Sequence, residues 1–512
     1  MSATASIPFL RKQGTATQLV VQGRPLSLLA GELHNSSASS LAYVEPVLDR
    51  MAALHCNAVL APLYWELLEP SEGVYDFTLL DGLVEAARAR RIHVVFLWFG
   101  TIKNAMASYT PAWVKTNPGR FPRVELRPGA GCAAVSVFTP DAMACDARAF
   151  AAAMRRIRQI DGAGETVVMM QVENEAGILG APRDFCPAAR EAFAAPVPPE
   201  LLRHLAAQRA SLIPEFDAVW RATDYRMSGN WSEVFGQGAD EVFMAWHTAR
   251  FIEGVTAAGR AEYDLPMYAN AWLVQGAWDQ PGQYPSGGPV SRMLDVWRVA
   301  APHIDLLAPD IYMEDFRGQC ASYHRSGNPL FIPEARRDPV AAATALYAIG
   351  RHDAMGFAPF GIDSVDPQHP LTDTYRVLGQ MMPMLAAAQG SGRMTAFLQQ
   401  ADSEEWQAEV GGFRFRARTG RKLSECRVPG SALLLAVGQD EFIAVGRNLI
   451  LNFRPRDPAV ATAEIVWLDV GAFVAGEWPS GRRLNGDETH HGSAVLLGED
   501  LTACRFKLHA YR

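Results

Sequence analysis

Short apolar runs that stop abruptly on polar residues alternate, over most of the chain, with longer stretches whose apolar positions recur at helical spacing. The run Leu28-Leu29-Ala30-Gly31 halts at Glu32, Leu33, His34 and Asn35, and Leu41, Val44, Val47, Leu48, Met51 and Leu54 then fall on one helical face. This pattern predicts a strand followed by a helix over residues 41–55. It repeats as strand 57–64 with helix 78–90, and as strand 92–99 with an alanine-rich helix over 141–160 that Pro140 opens. Further strands are expected at 167–172, 265–271, 304–312, 331–334 and 356–362, with helices at 239–258, 290–300, 340–351 and 371–388. Eight strands alternating with helices imply an α/β fold, a (β/α)8 TIM barrel.

Residues 180–237 are too many for an ordinary connection and predict a lid or subsite wall, with a helix of their own at 199–210. After Gln389-Gly390-Ser391-Gly392 the pattern changes to short alternating segments separated by Gly and Pro, such as GGFRFRA, SALLLAVG and EFIAVGRNLILNF. Two domains are therefore expected, a barrel over 1–392 and an all-β, sandwich-like domain over 393–512. Trp406, Trp467 and Trp478 in the second domain read as core residues rather than sugar platforms.

Composition narrows the function. The chain has 512 residues, 49% of them hydrophobic, and a formal net charge of −8 without any basic block. Nucleic acid and anionic membrane surfaces are thereby disfavoured as partners, and a neutral substrate is favoured. The seven cysteines are scattered, odd in number and lack CxxC spacing, which points to reduced thiols and away from a zinc site. Neither a signal-peptide core near the N-terminus nor a run of about 18 apolar residues is present, so a soluble cytoplasmic or periplasmic protein is expected. A homo-oligomer is compatible with all of this.

The candidate chemistry sits where the apolar runs stop. In VVMMQVENEAG the buried strand gives way to Glu173, Asn174 and Glu175, and in NPLFIPE another ends on Glu334. Barrels keep their chemistry at the C-terminal ends of their strands. A pair of carboxylates from two such ends suits glycoside hydrolysis, which in retaining enzymes sets them roughly 5 Å apart. Glu173 points to a supporting position, either hydrogen-bonded to a neighbour or tuning Glu175. Rivals to Glu334 at strand ends are Glu314, Asp315 and Asp363. Glu32, Trp98, Lys103, Asn104, Trp272 and Trp278 also lie at or after strand ends, as sugar contacts or as mouth packing. No Gly-rich dinucleotide fingerprint follows an early strand, and no metal or cofactor is implied.

With these residues in place the chain resembles the barrel glycosidases of the clan that includes glycoside hydrolase family 35, the β-galactosidases. QVENEAG, WELLEPSEGVYDF and GELHNSS are similar to that family's signatures over roughly residues 20–390. The resemblance implies Glu175 as acid/base, Asn174 as a contact to the sugar 2-hydroxyl, Glu334 as nucleophile and Tyr312 as its hydrogen-bond donor. Two departures stand out: the third strand ends in FLWFGTIKN in place of a Cys-Ala-Glu type, and Pro62 replaces a tyrosine. A retaining β-galactosidase is the expectation. A retaining glycosidase of β-xylosides, α-L-arabinosides or β-glucosides, or a non-catalytic carbohydrate-binding protein, remain the alternatives. Aglycone choice is expected to fall to residues 180–237 and the β domain.

Overall fold

The computed structural model describes residues 7–162, 166–325, 327–479 and 481–512. The first six residues, part of the stretch read for a leader, lie outside the described residues.

Eight parallel strands form the central sheet: β1 (Leu28–Glu32), β2 (Ala58–Tyr64), β3 (His93–Lys103), β4 (Val167–Asn174), β5 (Met267–Trp272), β6 (Leu306–Ile311), β7 (Glu334–Ala335) and β8 (Gly356–Phe357). Each neighbours the next in sequence, and β8 pairs with β1. The circle closes where Ile332 bridges Phe357 in parallel. Strands β2 and β4 are buried at every position, as strands enclosed on both faces must be, and their Val, Leu and Met content reflects it.

The outer ring consists of α1 (Leu41–Ala53), α2 (Thr78–Ala89), α3 (Pro140–Asp161), α4 (Ala239–Glu262), α5 (Leu294–Ala300), α6 (Phe316–Tyr323), α7 (Ala341–His352) and α8 (Pro370–Ala388). Helix α6 was not anticipated. Its eight residues, FRGQCASY, bury only Phe316, Cys320 and Tyr323, too few positions to declare a period. Strands β7 and β8 are shorter than their apolar runs because Pro329, Pro333 and Pro359 interrupt the ladder.

Residues 180–237 are not a lid over the mouth. Their helices, Pro187–Ala194, Pro199–Ala207, Pro214–Arg221 and Trp231–Phe235, bury Leu201, Leu205, Phe216, Trp220 and Trp231. They lean on the flank of the barrel, where Asp295 of α5 accepts from Ile213 N at 2.7 Å and Trp231 stacks edge-on against Phe243 of α4. An apolar face of this size is satisfied by helix packing, and no residue of 180–237 lines the cavity at the strand ends.

The C-terminal part holds a six-stranded and a four-stranded antiparallel sheet. The segment EFIAVGRNLILNF is two strands, Glu441–Arg447 in one sheet and Leu449–Pro455 in the other, with the corner at Asn448, whose φ is 54°. Phe397, Phe415, Phe442, Leu451 and Phe506 fill the space between the sheets. Trp406 packs at the margin of this core and Trp478 against that of the barrel, in line with the reading of both as packing residues. Helix α7 lies against the strands Met394–Leu398 and Ser431–Ala436. At Gly350 an added Cβ would lie 2.8 Å from Ala396 Cβ, so the helix approaches this closely because it carries glycine there.

Candidate functional site

The C-terminal ends of β3 to β7 surround a cavity of about 280 Å3 lined by Lys103, Asn104, Glu175, Trp272, Asp310, Tyr312 and Glu334, with Asn35 and Phe360 completing the rim. Backbone conformation delivers the first acid. Glu173 and Glu175 both adopt positive φ, 61° and 46°, on either side of Asn174. Such left-handed residues are costly for non-glycine side chains, and they cancel the two-residue alternation of the strand. Glu173 consequently leaves through the barrel wall, where it accepts from Thr101 N at 3.2 Å and Ile102 N at 2.6 Å. Its charged neighbour is Asp146 of α3, not Glu175, so the tuning role considered for it does not hold.

Glu175 turns into the cavity. Its backbone N donates to Asn270 Oδ1 at 3.0 Å, and its carboxylate accepts from Asn104 Nδ2. Burial and the charge of Glu334 push its pKa up from 4.5 to about 8, with Lys103 and the hydrogen bonds of Asp310 and Asn104 pulling the other way.

Opposite it, Glu334 is 5% exposed and well supplied with donors. Tyr312 OH donates to Oε2 at 2.6 Å, and Asn174 Nδ2 to Oε1 at 3.2 Å. Asn174 is itself fixed by Lys103 Nζ, which donates to its Oδ1 at 2.9 Å. Burial, with Glu334 next to it, drives the Tyr312 hydroxyl far above its ordinary range, so it remains a donor. Oxygens of Glu175, Asp310 and Glu334 all lie within 4.8 Å of one another. Among the described residues this trio is also the acidic group close enough to hold a metal ion.

The structure thus brings Glu175, Glu334, Asn174, Lys103, Trp272 and Tyr312 together. Trp98 and Glu32 stand apart from the cavity. The Trp98 ring is wholly buried between β3 and α3, its Nε1 donating to Asp146 Oδ1 at 2.7 Å and its ring 5.4 Å from Phe150, so it cannot serve as a sugar platform. Glu32 has no exposed surface and does not line the cavity; it lies beneath the acids, and burial followed by the charge of Glu334 raises its pKa strongly. Trp278 is 89% exposed on the loop after β5. Of the rivals to Glu334, Asp315 caps α6 by accepting from Gly318 N, and Asp363 accepts from His34 N and Ser37 Oγ. Glu314 lines a separate cleft toward the β domain. Two residues went unread: Asn270 at the end of β5 and Asp310 in β6. Asn270 Nδ2 donates to Asp310 at 2.7 Å and reaches Glu334 Oε1 at 3.4 Å. The available signal was a polar residue inside each of two otherwise apolar runs, MYANAW and LLAPDI.

A family model described as Beta-galactosidase, that of glycoside hydrolase family 42, matches residues 40–236. A second, described as a domain of unknown function, matches residues 371–496. A beta-galactosidase from Xanthomonas manihotis is 33% identical over 93 residues, which are 18% of this chain and 15% of that protein. Among solved structures, the beta-galactosidase from Rahnella sp. R3 aligns with a TM-score of 0.46 and 15% identity over 71% of this chain and 57% of its own. That from the psychrophilic Marinomonas ef1 gives 0.47 and 13% over 71% and 60%. The chain therefore spans less than two thirds of the proteins it is aligned with. The family that matches is 42; the likeness to family 35 read from the strand-end motifs finds no support, in keeping with the departures at Pro62 and at the tip of β3.

Proposed function

We propose that the protein is a retaining glycoside hydrolase that releases terminal β-D-galactosyl residues from β-galactosides. The observation that carries this reading is the approach of the Glu175 and Glu334 carboxylates to within 4.8 Å across the cavity. Retaining enzymes hold such a pair roughly 5 Å apart, whereas inverting ones leave about 6.5–9.5 Å for a water. The match of residues 40–236 to a beta-galactosidase family supports the choice of sugar.

In this reading Glu334 attacks the anomeric carbon while Glu175 protonates the departing oxygen. Glu175 then takes a proton from water, and the resulting hydroxide releases the sugar from Glu334 with net retention. The two roles follow from environment. Glu334 faces Tyr312 and Asn174, donors suited to an anion, while Glu175 is buried beside a negative neighbour, which favours its protonated form. In the same reading Asn174, tied to Lys103, contacts the hydroxyl next to the reacting carbon, and Trp272, which lines the cavity, offers an aromatic face to the ring. The reaction requires no cofactor. A panel of aryl β-D-galactosides, β-D-glucosides, β-D-xylosides and α-L-arabinosides, with the product anomer followed by NMR, tests the proposal. Preferred hydrolysis of the galactoside to the β anomer is expected. Preference for another glycoside refutes the sugar, and inversion refutes the mechanism.

A further inference from the structure

Asp310 occupies a position that the two catalytic roles do not explain. Strand register sets it level with Trp272 on β5 and Glu334 on β7. Its Oδ2 accepts from Asn270 Nδ2 at 2.7 Å, while Oδ1 is buried and receives no hydrogen from any donor. Oxygens of Asp310, Glu175 and Glu334 nevertheless crowd within 4.8 Å of one another. Carboxylates crowded this closely have only acceptors to offer one another, so a proton on at least one of them is favoured.

The surroundings decide which. Facing the pair are Glu32 from β1, Lys103 from β3, Tyr268 from β5, Tyr312 at the end of β6, Tyr323 from α6 and Glu334 from β7. Lys103 is the cation in this group, and its field acts on Glu175 and Glu32. Glu175 also receives the Asn104 amide. Around Asp310 stand Glu334, Glu175 and Glu32, acids whose charge, whenever they ionise, disfavours its anion.

We propose that Asp310 stays protonated throughout the catalytic cycle and donates a hydrogen bond to Glu175, stabilising the carboxylate that Glu175 becomes each time it gives up its proton. This rests on the reading of Glu175 as the acid/base. The proton count closes without Asp310: the proton Glu175 passes to the leaving oxygen is regained from water, and the proton on Asp310 never departs. Asp310 is then a positioning residue acting through Glu175. Burial and its negative neighbours push its pKa well above the carboxylate range, in agreement. A protonated aspartic acid offering one acceptor to Asn270 and one donor to Glu175 has the hydrogen-bonding pattern of an asparagine side chain.

The variants Asp310→Asn and Asp310→Leu separate this role from a charged one. Asp310→Asn is expected to keep kcat/KM on an aryl β-galactoside within about threefold of the parent and to leave the alkaline limb of its pH profile in place. Asp310→Leu should lose about tenfold or more and move that limb upward, since the Glu175 anion loses a donor. A downward shift of the limb in Asp310→Asn, or a loss as deep as that of Asp310→Leu, overturns the proposal. Infrared difference spectra of the parent against Asp310→Asn near neutral pH read the same proton without turnover. A protonated carboxyl C=O band present in the parent and lost in the variant is expected, and its absence overturns the assignment. Failure of the hydrolytic reading would appear separately, as a parent inactive on every glycoside or a Glu175→Gln variant with undiminished activity on poor leaving groups.

Discussion

Two clusters of buried acids lie at the upper end of the barrel, one in its wall and one at its mouth, and they are built in opposite ways. In the wall, Asp146 and Glu173 have a donor on each of their four oxygens: Trp98 Nε1, Thr101 N and Oγ1 for the first, Thr101 N and Ile102 N for the second. At the mouth both oxygens of Glu32, one of Asp310 and the hydroxyl of Tyr268 are buried without a partner. Unsatisfied buried groups are expensive, and a fold keeps them where they serve something other than stability. The contrast separates acids that fasten β3 to α3 from acids held ready for chemistry. Burial alone does not distinguish them, and Glu334 has donors on both oxygens; the unpaired oxygens of Glu32 and Asp310 set the mouth cluster apart.

The largest effect that tests this contrast is expected from Glu334→Gln, which should lower kcat on an aryl β-galactoside by roughly 10^4-fold or more while leaving the circular dichroism spectrum intact. A folded variant with parent-like turnover would remove Glu334 from the nucleophile role. Next, Glu175→Gln should cost about 10^2–10^4-fold on substrates with poor leaving groups and much less on activated ones. The same variant has a stability signature. With the folded pKa raised to about 8 from 4.5, the native state holds a proton that the unfolded chain releases as pH rises between these values, so Glu175 loses stabilisation across that window. The Tm advantage of Glu175→Gln over the parent should therefore grow from about pH 5 to about pH 8, and parallel Tm curves would contradict the shift.

Tyr312→Phe deletes the 2.6 Å bond to Glu334 and should cost about 1.5–3 kcal/mol of transition-state stabilisation, read from kcat/KM, with little change in Tm. Trp98→Phe sharpens the comparison from the wall side. It strips Asp146 Oδ1 of its donor and should lower stability by about 1–3 kcal/mol in denaturant titrations, with kcat/KM per folded enzyme nearly unchanged. A Trp98 variant that is stable but inactive would mean that the wall cluster takes part in catalysis.

The barrel was readable in the sequence because its strands are apolar throughout and its helices are long enough to show a period. Glu175 and Glu334 were readable because each follows an apolar run, whereas Asn174 and Tyr312 entered through the resemblance their motifs carry. Asp310 and Asn270 were not, since both sit inside runs that read as strand interior. Trp98 and Glu173 misled for a related reason. Position at a strand tip does not tell which way a side chain faces once β3 and β4 are irregular there, with register shifts between them and positive φ at Glu173 and Glu175. The sandwich strands Met394–Leu398, Glu405–Val410 and Thr502–Tyr511 went unread, although the last alternates regularly between apolar and polar residues from Cys504 to Ala510.

The glycine at position 350 bears on how the molecule can be taken apart. Because α7 touches the β domain at backbone distance, the apolar surface beneath it, Ala396, Leu433 and Leu435, is continuous with the core of the barrel. Cutting the chain near residue 390 would therefore leave one side of a core helix facing solvent. The two halves should melt in one transition, and a barrel expressed without its β partner should associate or precipitate before its specificity could be measured.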